Sequence, residues 1–225
     1  MPYISNGDIY TSEFTDLTGW TTTGSGNGTT TQVTFDGKSC AKLDSGAISG
    51  YALCDRDVGT FSGRTVVSYM LYYDSLGTYA NSDKCYVATY GPSSRGCPSW
   101  QANDALYLYK PGEWVYKGNY IVLDTWQEWT YDINWTNDTV DVYIDKILVS
   151  SQTTCTGVSA NTNGLIHLLL YSNTGYNSIC YIDWIKVGSG FQLTNIKKYM
   201  GELDAHIKKV NGTTRATAKT IMGVA

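Results

Sequence analysis

Two carboxylates close together can act as acid and base, and the chain has one local candidate pair. Asp141 and Asp145 lie four residues apart, so in a strand they share one face. Aspartates on an outward face are more often simply solvated. We therefore expect Asp141 and Asp145 to face water without a catalytic role.

The chain contains two histidines, His167 and His206, which are too few for a histidine-rich metal site. The segment 165–170 around His167 is too apolar for an open catalytic site, so we expect His167 in the core or on a sheet face. No local serine–histidine–aspartate or cysteine–histidine pattern is present. The sequence therefore predicts that the chain is not an enzyme.

A cluster of aromatic residues lies between two predicted strand pairs and is a candidate sugar-binding surface. Aromatic rings stack on the apolar C–H faces of sugars. Such rings also fill cores, which is the commoner place for any single one of them. The candidate glycan-binding residues are Trp100, Tyr107, Tyr109, Trp114 and Tyr116.

Six cysteines occur without C-x-x-C spacing or a cysteine–histidine cluster, which argues against a zinc site. Their even number permits disulfides, although many connectivities are possible. Buried free thiols in a reducing compartment are the alternative. The disulfide pairs considered are Cys40–Cys54, Cys85–Cys97 and Cys155–Cys180.

The composition favours strands joined by turns. Of the 225 residues, 42% are hydrophobic and only 16% are charged, and tyrosine, tryptophan and glycine are abundant. This length permits one sandwich-sized domain with an appendage. The N-terminus lacks the basic and apolar stretches of a secretory signal, and no apolar run is long enough to span a membrane.

Strand signals recur at the short intervals typical of a β-sandwich, and we predict no helix before Leu193. The predicted strands are residues 65–73, 85–90, 105–109, 126–135, 139–149, 165–171 and 179–187. A turn at Asn137-Asp138 joins two strands of period two into a hairpin. The inward rows of this hairpin are Trp129, Tyr131, Ile133 and Trp135, and Val140, Val142 and Ile144.

This hairpin resembles one in concanavalin A-like and laminin-G-like domains, where a tryptophan-bearing strand and a turn precede a V-x-V-Y-I-D-G strand. The matching residues are Glu128-Trp129-Thr130-Tyr131-Asp132-Ile133, the turn Asn137-Asp138, and Val140-Asp141-Val142-Tyr143-Ile144-Asp145. Lys146 replaces the usual glycine, and residues 181–187 resemble the closing strand of such domains. The resemblance covers residues 3–190 and implies an antiparallel two-sheet jelly-roll sandwich.

The resemblance also bears on activity and metal binding. Retaining glucanases of this fold carry an E-x-D-x-x-E strand motif that brings two carboxylates together, and the motif is absent here. Calcium is common in the family, and Asp8 and Asp183 are the candidates for holding it.

Residues 196–225 contain three copies of a motif with a period of eleven, in which lysine and glycine recur at fixed places. Asn211-Gly212 is a strong turn signal, so we favour short strands and turns over a helix. The tail resembles the K-V-N-G-V repeats at the C-termini of tailed-phage structural proteins, which implies assembly or anchoring. A disordered, solvated tail is the alternative. The lysines predicted to take part in assembly are Lys197, Lys198, Lys208, Lys209 and Lys219.

Charge is unevenly distributed, since the tail from Ile196 carries six basic and two acidic residues in a chain of net charge −4. An acidic body with a basic tail indicates different partners for the two parts. We expect residues 1–190 to form the sandwich and residues 191–225 to form a basic repeat tail.

The leading interpretation is a non-enzymatic, homo-oligomeric protein on the virion surface of a tailed phage. Its sandwich would bind glycans, and its tail would bind virion proteins or sister chains. We expect no nucleic-acid or membrane partner. The alternatives are a carbohydrate-active enzyme of the same fold and a secreted adhesin or carbohydrate-binding module.

Overall fold

The structure is a computed structural model. It describes residues 3–5, 7–46, 50–75, 84–91, 95–102, 105–110, 112–153, 164–171, 177–192, 209–210 and 213–214. The chain divides into two units, Pro2–Gly190 and Phe191–Ala225 with Met1. Across the described ranges there are strands and turns and no helix, so no helix there could cross a membrane. The predicted all-β class is confirmed.

The first unit is built from short strands linked by turns. Its strands are β1 (Tyr3–Ile4), β2 (Tyr10–Ser12), β3 (Thr21–Ser25), β4 (Thr29–Phe35), β5 (Lys38–Asp44), β6 (Tyr51–Asp57), β7 (Arg64–Ser75), β8 (Lys84–Gly91), β9 (Arg95–Ala102), β10 (Ala105–Lys110), β11 (Glu113–Asn119), β12 (Trp126–Asn134), β13 (Thr139–Ile144), β14 (Ile147–Thr153), β15 (Leu165–Tyr171) and β16 (Ile179–Gly188).

Two antiparallel sheets form the sandwich. The seven-stranded sheet has the order β11-β10-β9-β8-β15-β6-β3. The eight-stranded sheet has the order β14-β13-β12-β7-β16-β5-β4, with β2 also paired to β16. Each sheet turns one face inward to a shared hydrophobic core. This arrangement confirms the predicted jelly-roll sandwich.

The core follows the period of two along each strand. Val67, Tyr69 and Leu71 of β7 lie in it, as do Ile166 and Leu168 of β15 in the other sheet. Burying each large side chain contributes roughly 1.5–3 kcal/mol. Every member of the two rows predicted for the β12–β13 hairpin is also buried, so the face assignment of the hairpin is confirmed.

The segment 139–149 differs from the prediction, because it is two strands and not one. A turn at Asp145 and Lys146 separates β13 from β14, with φ values of 48° and 68°. Two positive φ values are typical of the type I′ turn that joins twisted strands. Lys146 thus adopts a backbone conformation that the glycine usual at this place would adopt without strain.

Asp132 is buried although the strand pattern places it on the outward row. It lies on the row opposite the core but is only 3% exposed. Arg64 donates to both of its carboxylate oxygens, from Nε at 2.6 Å and from Nη2 at 2.5 Å. Burial raises the pKa of Asp132, and the Arg64 guanidinium opposes that rise.

Two of the predicted disulfides are wrong, because Cys40, Cys54 and Cys180 are thiols and not halves of a disulfide. Cys54 points into the core from β6. Cys40 alternates with the core residue Ala41 on β5, so its side chain lies on the opposite face of the other sheet. The pair Cys40–Cys54 is therefore separated by a sheet, and Cys155, the proposed partner of Cys180, lies outside the described residues.

The third pair, Cys85–Cys97, does not match the strand register. Cys85 lies opposite Gln101 on the β8–β9 ladder, and Cys97 lies opposite Thr89. The two cysteines are thus offset by four residues, or about 13 Å along the ladder. A disulfide needs Cα atoms within about 7 Å.

The second unit is described at β17 (Phe191–Gln192), β18 (Lys209–Val210) and β19 (Thr213–Thr214). β18 pairs antiparallel with β19, and Lys209 lies opposite Thr214. This ladder is in keeping with the short strands predicted on either side of Asn211-Gly212. The other lysines of the tail, Lys197, Lys198, Lys208 and Lys219, lie outside the described residues.

Candidate functional site

The seven-stranded sheet has one face away from the core, which we call the open face. On β15, Ile166, Leu168 and Leu170 point into the core. The alternating residues of β15 and β6 are half-buried on the other side. These open-face residues are Leu165, His167, Leu169 and Tyr171, and Tyr51, Leu53 and Asp55.

His167 and Asp55 form a histidine–aspartate pair on the open face. They lie directly opposite each other on the β15–β6 ladder, and Nδ1 of His167 is 2.7 Å from Oδ1 of Asp55. The side chains are 20% and 22% exposed, so both reach the surface. Oδ1 of Asp55 is buried and has no donor of good hydrogen-bond angle among the described residues. The contact places the imidazole ring directly beside the carboxylate.

His167 lies on a sheet face, one of the two places expected for it, and its side chain is 20% exposed although its strand is apolar. The strand period of two sends half of the leucines in residues 165–170 into the core. Only Leu165 and Leu169 remain beside His167 on its own face. A polar group on that face is accessible although the segment as a whole is apolar.

Four of the five predicted glycan-binding aromatics lie together at one side of the open face. Tyr107 and Tyr109 alternate with the core residues Leu106 and Leu108 on β10. We call the group Tyr107, Tyr109, Trp114 and Tyr116 the aromatic platform.

The platform rings are paired across β10 and β11. The Tyr107 and Tyr116 ring centroids are 5.6 Å apart, and those of Tyr109 and Trp114 are 5.2 Å apart. Tyr116 is the most accessible, with 55% of its surface exposed. Its hydroxyl donates to Oδ1 of Asn119, and that of Tyr109 accepts from the backbone N–H of Gly112.

Strand register relates the platform to the histidine–aspartate pair. A row of directly opposite residues crosses the sheet from β15 to β11. Its members, in strand order, are Leu169, Tyr86, Trp100, Tyr107 and Tyr116. The backbone of Trp100, the fifth predicted aromatic, therefore belongs to this row, although its side chain lies outside the described residues. One row over, His167 lies opposite Ala88 and Ala88 opposite Pro98. On β10, Leu108 lies opposite Ser99, and Tyr109 follows it.

The predicted calcium ligands do not form a site in the described part of the chain. Asp8 accepts hydrogen bonds from the backbone and hydroxyl of Ser189, at 2.9 and 2.8 Å. Asp183 pairs with the ammonium of Lys38 at 2.9 Å. Among the described residues there is no group of three histidine, cysteine, aspartate or glutamate side chains that could hold a metal ion.

Asp141 and Asp145 lie in the eight-stranded sheet and its turn, away from the open face. Asp145 is exposed, and its carboxylate accepts from the backbone N–H of Glu128. Asp141 is half-buried and accepts from the hydroxyl of Ser151 at 2.6 Å. Each therefore has a local structural role.

Comparison with solved structures identifies the fold. An endo-β-1,4-glucuronan lyase from the fungus Trichoderma reesei has a TM-score of 0.60 at 17% identity, covering 80% of this chain and 94% of that one. A carbohydrate esterase of the Shiga toxin-encoding bacteriophage phi24B has a TM-score of 0.56 at 15% identity, covering 76% and 90%. A Bacteroides ovatus GH16 protein for mixed-linkage glucan has a TM-score of 0.54 at 13% identity, covering 80% and 99%.

No protein-family model and no curated protein matches the sequence. At these identities the structural similarity shows the shared sandwich fold. It also corrects the prediction that the chain is not an enzyme. The three structures are a lyase, an esterase and a glycosidase. A missing E-x-D-x-x-E motif therefore does not exclude catalysis on this fold, which serves lyase and esterase chemistry as well.

Proposed function

We propose that the protein is a carbohydrate-active protein that binds a polysaccharide on the open face and cleaves it with His167 and Asp55. One observation carries the proposal, namely that a histidine–aspartate pair and the aromatic platform lie on the same sheet face. Aromatic rings supply stacking surface for sugars, and the pair supplies acid–base chemistry.

The geometry of the pair gives His167 and Asp55 different roles. Nδ1 of His167 faces the Asp55 carboxylate, so a proton held there leaves Nε2 as the nitrogen that accepts or donates a proton. Asp55 keeps the ring in place and stabilises the imidazolium once it forms. His167 is then the catalytic residue, and Asp55 is its positioning residue.

The substrate class proposed is a β-linked glucan or glucuronan. The similar structures include proteins named for β-1,4-glucuronan and for mixed-linkage glucan. Equatorially linked chains of this kind are extended and flat, which suits stacking on rings that lie along a sheet.

The test is turnover by the full chain of cellulose oligomers, mixed-linkage glucan and β-1,4-glucuronan. New reducing ends report any cleavage, and the ultraviolet absorbance of an unsaturated product distinguishes elimination from hydrolysis. His167→Gln should lower kcat by about 10²- to 10⁴-fold, as expected for loss of a positioned acid–base group. Asp55→Asn should lower kcat less and leave KM unchanged, because it removes a group that positions the ring and does not contact the sugar.

Asp141→Asn is the matched control, because it removes a carboxylate from the other sheet and should leave turnover unchanged. Retention of full activity in His167→Gln would refute the catalytic assignment. Failure of all three polysaccharides to bind or react would refute the substrate class.

We also propose that the protein acts at a virion surface, held there by its tail. The eleven-residue repeat with its lysines and the acidic charge of the body support this placement. A phage carbohydrate esterase among the similar structures is compatible with it. Deleting residues 196–225 should abolish copurification with virus particles or sister chains. Normal assembly of the truncated chain would contradict the proposal.

A further inference from the structure

We infer that the sandwich carries an interface for a second copy of this chain, formed by an exposed apolar patch beside the edge strand β14. The patch, which we call the edge patch, consists of Val122, Leu123, Ile147 and Leu148. It belongs to the eight-stranded sheet and to the loop before β12, not to the open face. The inference therefore goes beyond the proposed function and does not depend on it.

Exposure of aliphatic side chains is concentrated in the edge patch. Within the described ranges, the exposed large hydrophobic side chains are its four members, at 46% to 68%, and Tyr116 of the platform. Single exposed hydrophobic residues are common on soluble proteins, whereas contiguous apolar patches usually mark interaction sites. The question is therefore whether the four side chains lie together.

Hydrogen bonds hold the loop before β12 against the start of β14. Gln127 anchors this loop, because it accepts the backbone N–H of Val122 at 3.0 Å and donates to the carbonyl of Tyr120 at 2.9 Å. The Tyr120 hydroxyl in turn donates to the carbonyl of Val149 on β14 at 3.1 Å. Ile147 is two residues before Val149 on the same strand. The loop and the strand therefore contribute to one patch.

The start of β14 is uncovered on both faces. Consecutive strand residues point to opposite faces, yet Ile147 and Leu148 are 68% and 52% exposed. β14 is also the last strand of its sheet, with β13 on one side only. Neither side chain is buried in the core of the sandwich, so both are available to a partner.

The edge of β14 is poorly suited to the addition of an extended strand. The register between β13 and β14 shifts between Val142 and Tyr143. The Val149 carbonyl already accepts the hydroxyl of Tyr120. Irregularities of this kind protect edge strands against pairing with another extended segment. The edge patch therefore suits a folded surface that packs through its side chains.

The charges around the edge patch favour a second copy as that surface. The Lys146 ammonium lies 3.6 Å from the Glu128 carboxylate, and the exposed Asp145 is next to it in the chain. Charges of both signs thus stand beside the apolar side chains. About a twofold axis, Lys146 of one copy can face the acidic residues of the other. Such self-complementarity is what a symmetric dimer interface requires.

Other occupants fit the edge patch less well. Sugars stack on aromatic rings, whereas the patch is aliphatic. Anionic membrane surfaces attract basic segments, whereas the body outside the tail is acidic. A second copy meets neither objection, since it supplies an aliphatic surface bordered by charges of both signs.

The experiment measures self-association of the full chain by sedimentation velocity over a wide range of concentration. We expect reversible association that Leu148→Ser and Val122→Ser each weaken by about tenfold or more, because each removes a desolvated apolar contact. Lys146→Glu should also weaken it, since like charges would then meet across the interface. Tyr116→Ala is the matched control, because it removes an exposed ring outside the edge patch and should leave association unchanged. Thermal melts check that every variant is folded.

The outcomes separate the edge patch from the tail and from the glycan site. Association that is the same in Leu148→Ser, Val122→Ser and the unchanged chain would overturn the inference and leave assembly to the tail. A full chain that stays monomeric throughout would also overturn it. Flotation with phosphatidylcholine vesicles tests a lipid occupant, and vesicle binding that Leu148→Ser abolishes would overturn it in favour of a membrane. Full activity of His167→Gln would refute the proposed catalytic role and leave the interface standing.

Discussion

Two clusters of aromatic residues lie outside the core, one on each sheet, and they differ in how their rings are used. The outer cluster, on the eight-stranded sheet, consists of Phe35, Tyr72, Trp126 and Tyr181. Phe35 stacks on Tyr181 with centroids 3.8 Å apart and planes 6° apart. Trp126 donates its indole N–H to Asp36 at 3.0 Å, and the Lys38 ammonium lies 5.4 Å from the centre of its ring.

The aromatic platform has a looser arrangement. Its rings meet in two tilted or edge-on pairs, and Tyr116 leaves 55% of its surface in water. In the outer cluster the rings pack on one another and on Lys38, whereas Tyr116 of the platform leaves more than half of its surface exposed. The same residue types are thus packed together in one cluster and partly left in water in the other.

The largest effect that should distinguish the clusters is on stability. Trp126→Ala removes contacts with Phe35 and Tyr72 and the bond to Asp36, so we expect a loss of about 2–3 kcal/mol in the free energy of unfolding. Glycan affinity of the folded variant should not change. Chemical denaturation with a parallel binding assay measures both. A stable variant with weakened glycan binding would reverse the assignment of the two clusters.

Tyr116→Ala should show the opposite pattern. Its exposed ring contributes little to folding, so the free energy of unfolding should change by less than about 0.5 kcal/mol. Affinity for a pentasaccharide should fall by about tenfold, or about 1.4 kcal/mol. Calorimetric titration gives the affinity, and thermal melts give the control. Marked destabilisation would show that the platform is structural.

The smallest effect concerns the Lys146 turn beside the outer cluster. Lys146→Gly should raise the free energy of unfolding by about 0.5–1 kcal/mol, because glycine adopts the positive φ without strain. The lost contact to the half-buried Glu128, at 3.6 Å from the exposed Lys146 ammonium, should offset little of this gain. Lys146→Ala is the matched control and should lack the gain. Equal stability of the glycine and alanine variants would locate the effect in the lost charge.

The hairpin could be predicted from the sequence, because its two strands are joined by a short turn and alternate at period two. Trp129 and Val142 are buried as that alternation requires. The open-face site could not be predicted in the same way. Its two members come from strands more than a hundred residues apart, and strand alternation alone does not indicate which strands pair.

Sequence also could not distinguish the two aromatic clusters. Trp126 and Tyr116 both stand in alternating strands, and their difference arises from Phe35 and Lys38, distant residues that cover one cluster. Asp132 is similar, since its burial depends on Arg64, which lies 68 residues away. The local pattern assigns a side chain to a face, whereas tertiary contacts decide what covers that face.

The state of two buried thiols, Cys40 and Cys54, has a consequence for the environments that the fold tolerates. Burial raises the pKa of Cys40 to about 11 and that of Cys54 to about 12. Both thiols therefore stay protonated near neutral pH, and the nucleophilic thiolate needed for disulfide exchange is scarce. At these two positions the sandwich needs no oxidative maturation and resists scrambling. Cys40 and Cys54 can therefore stay as thiols both where glutathione is abundant and in an oxidising medium.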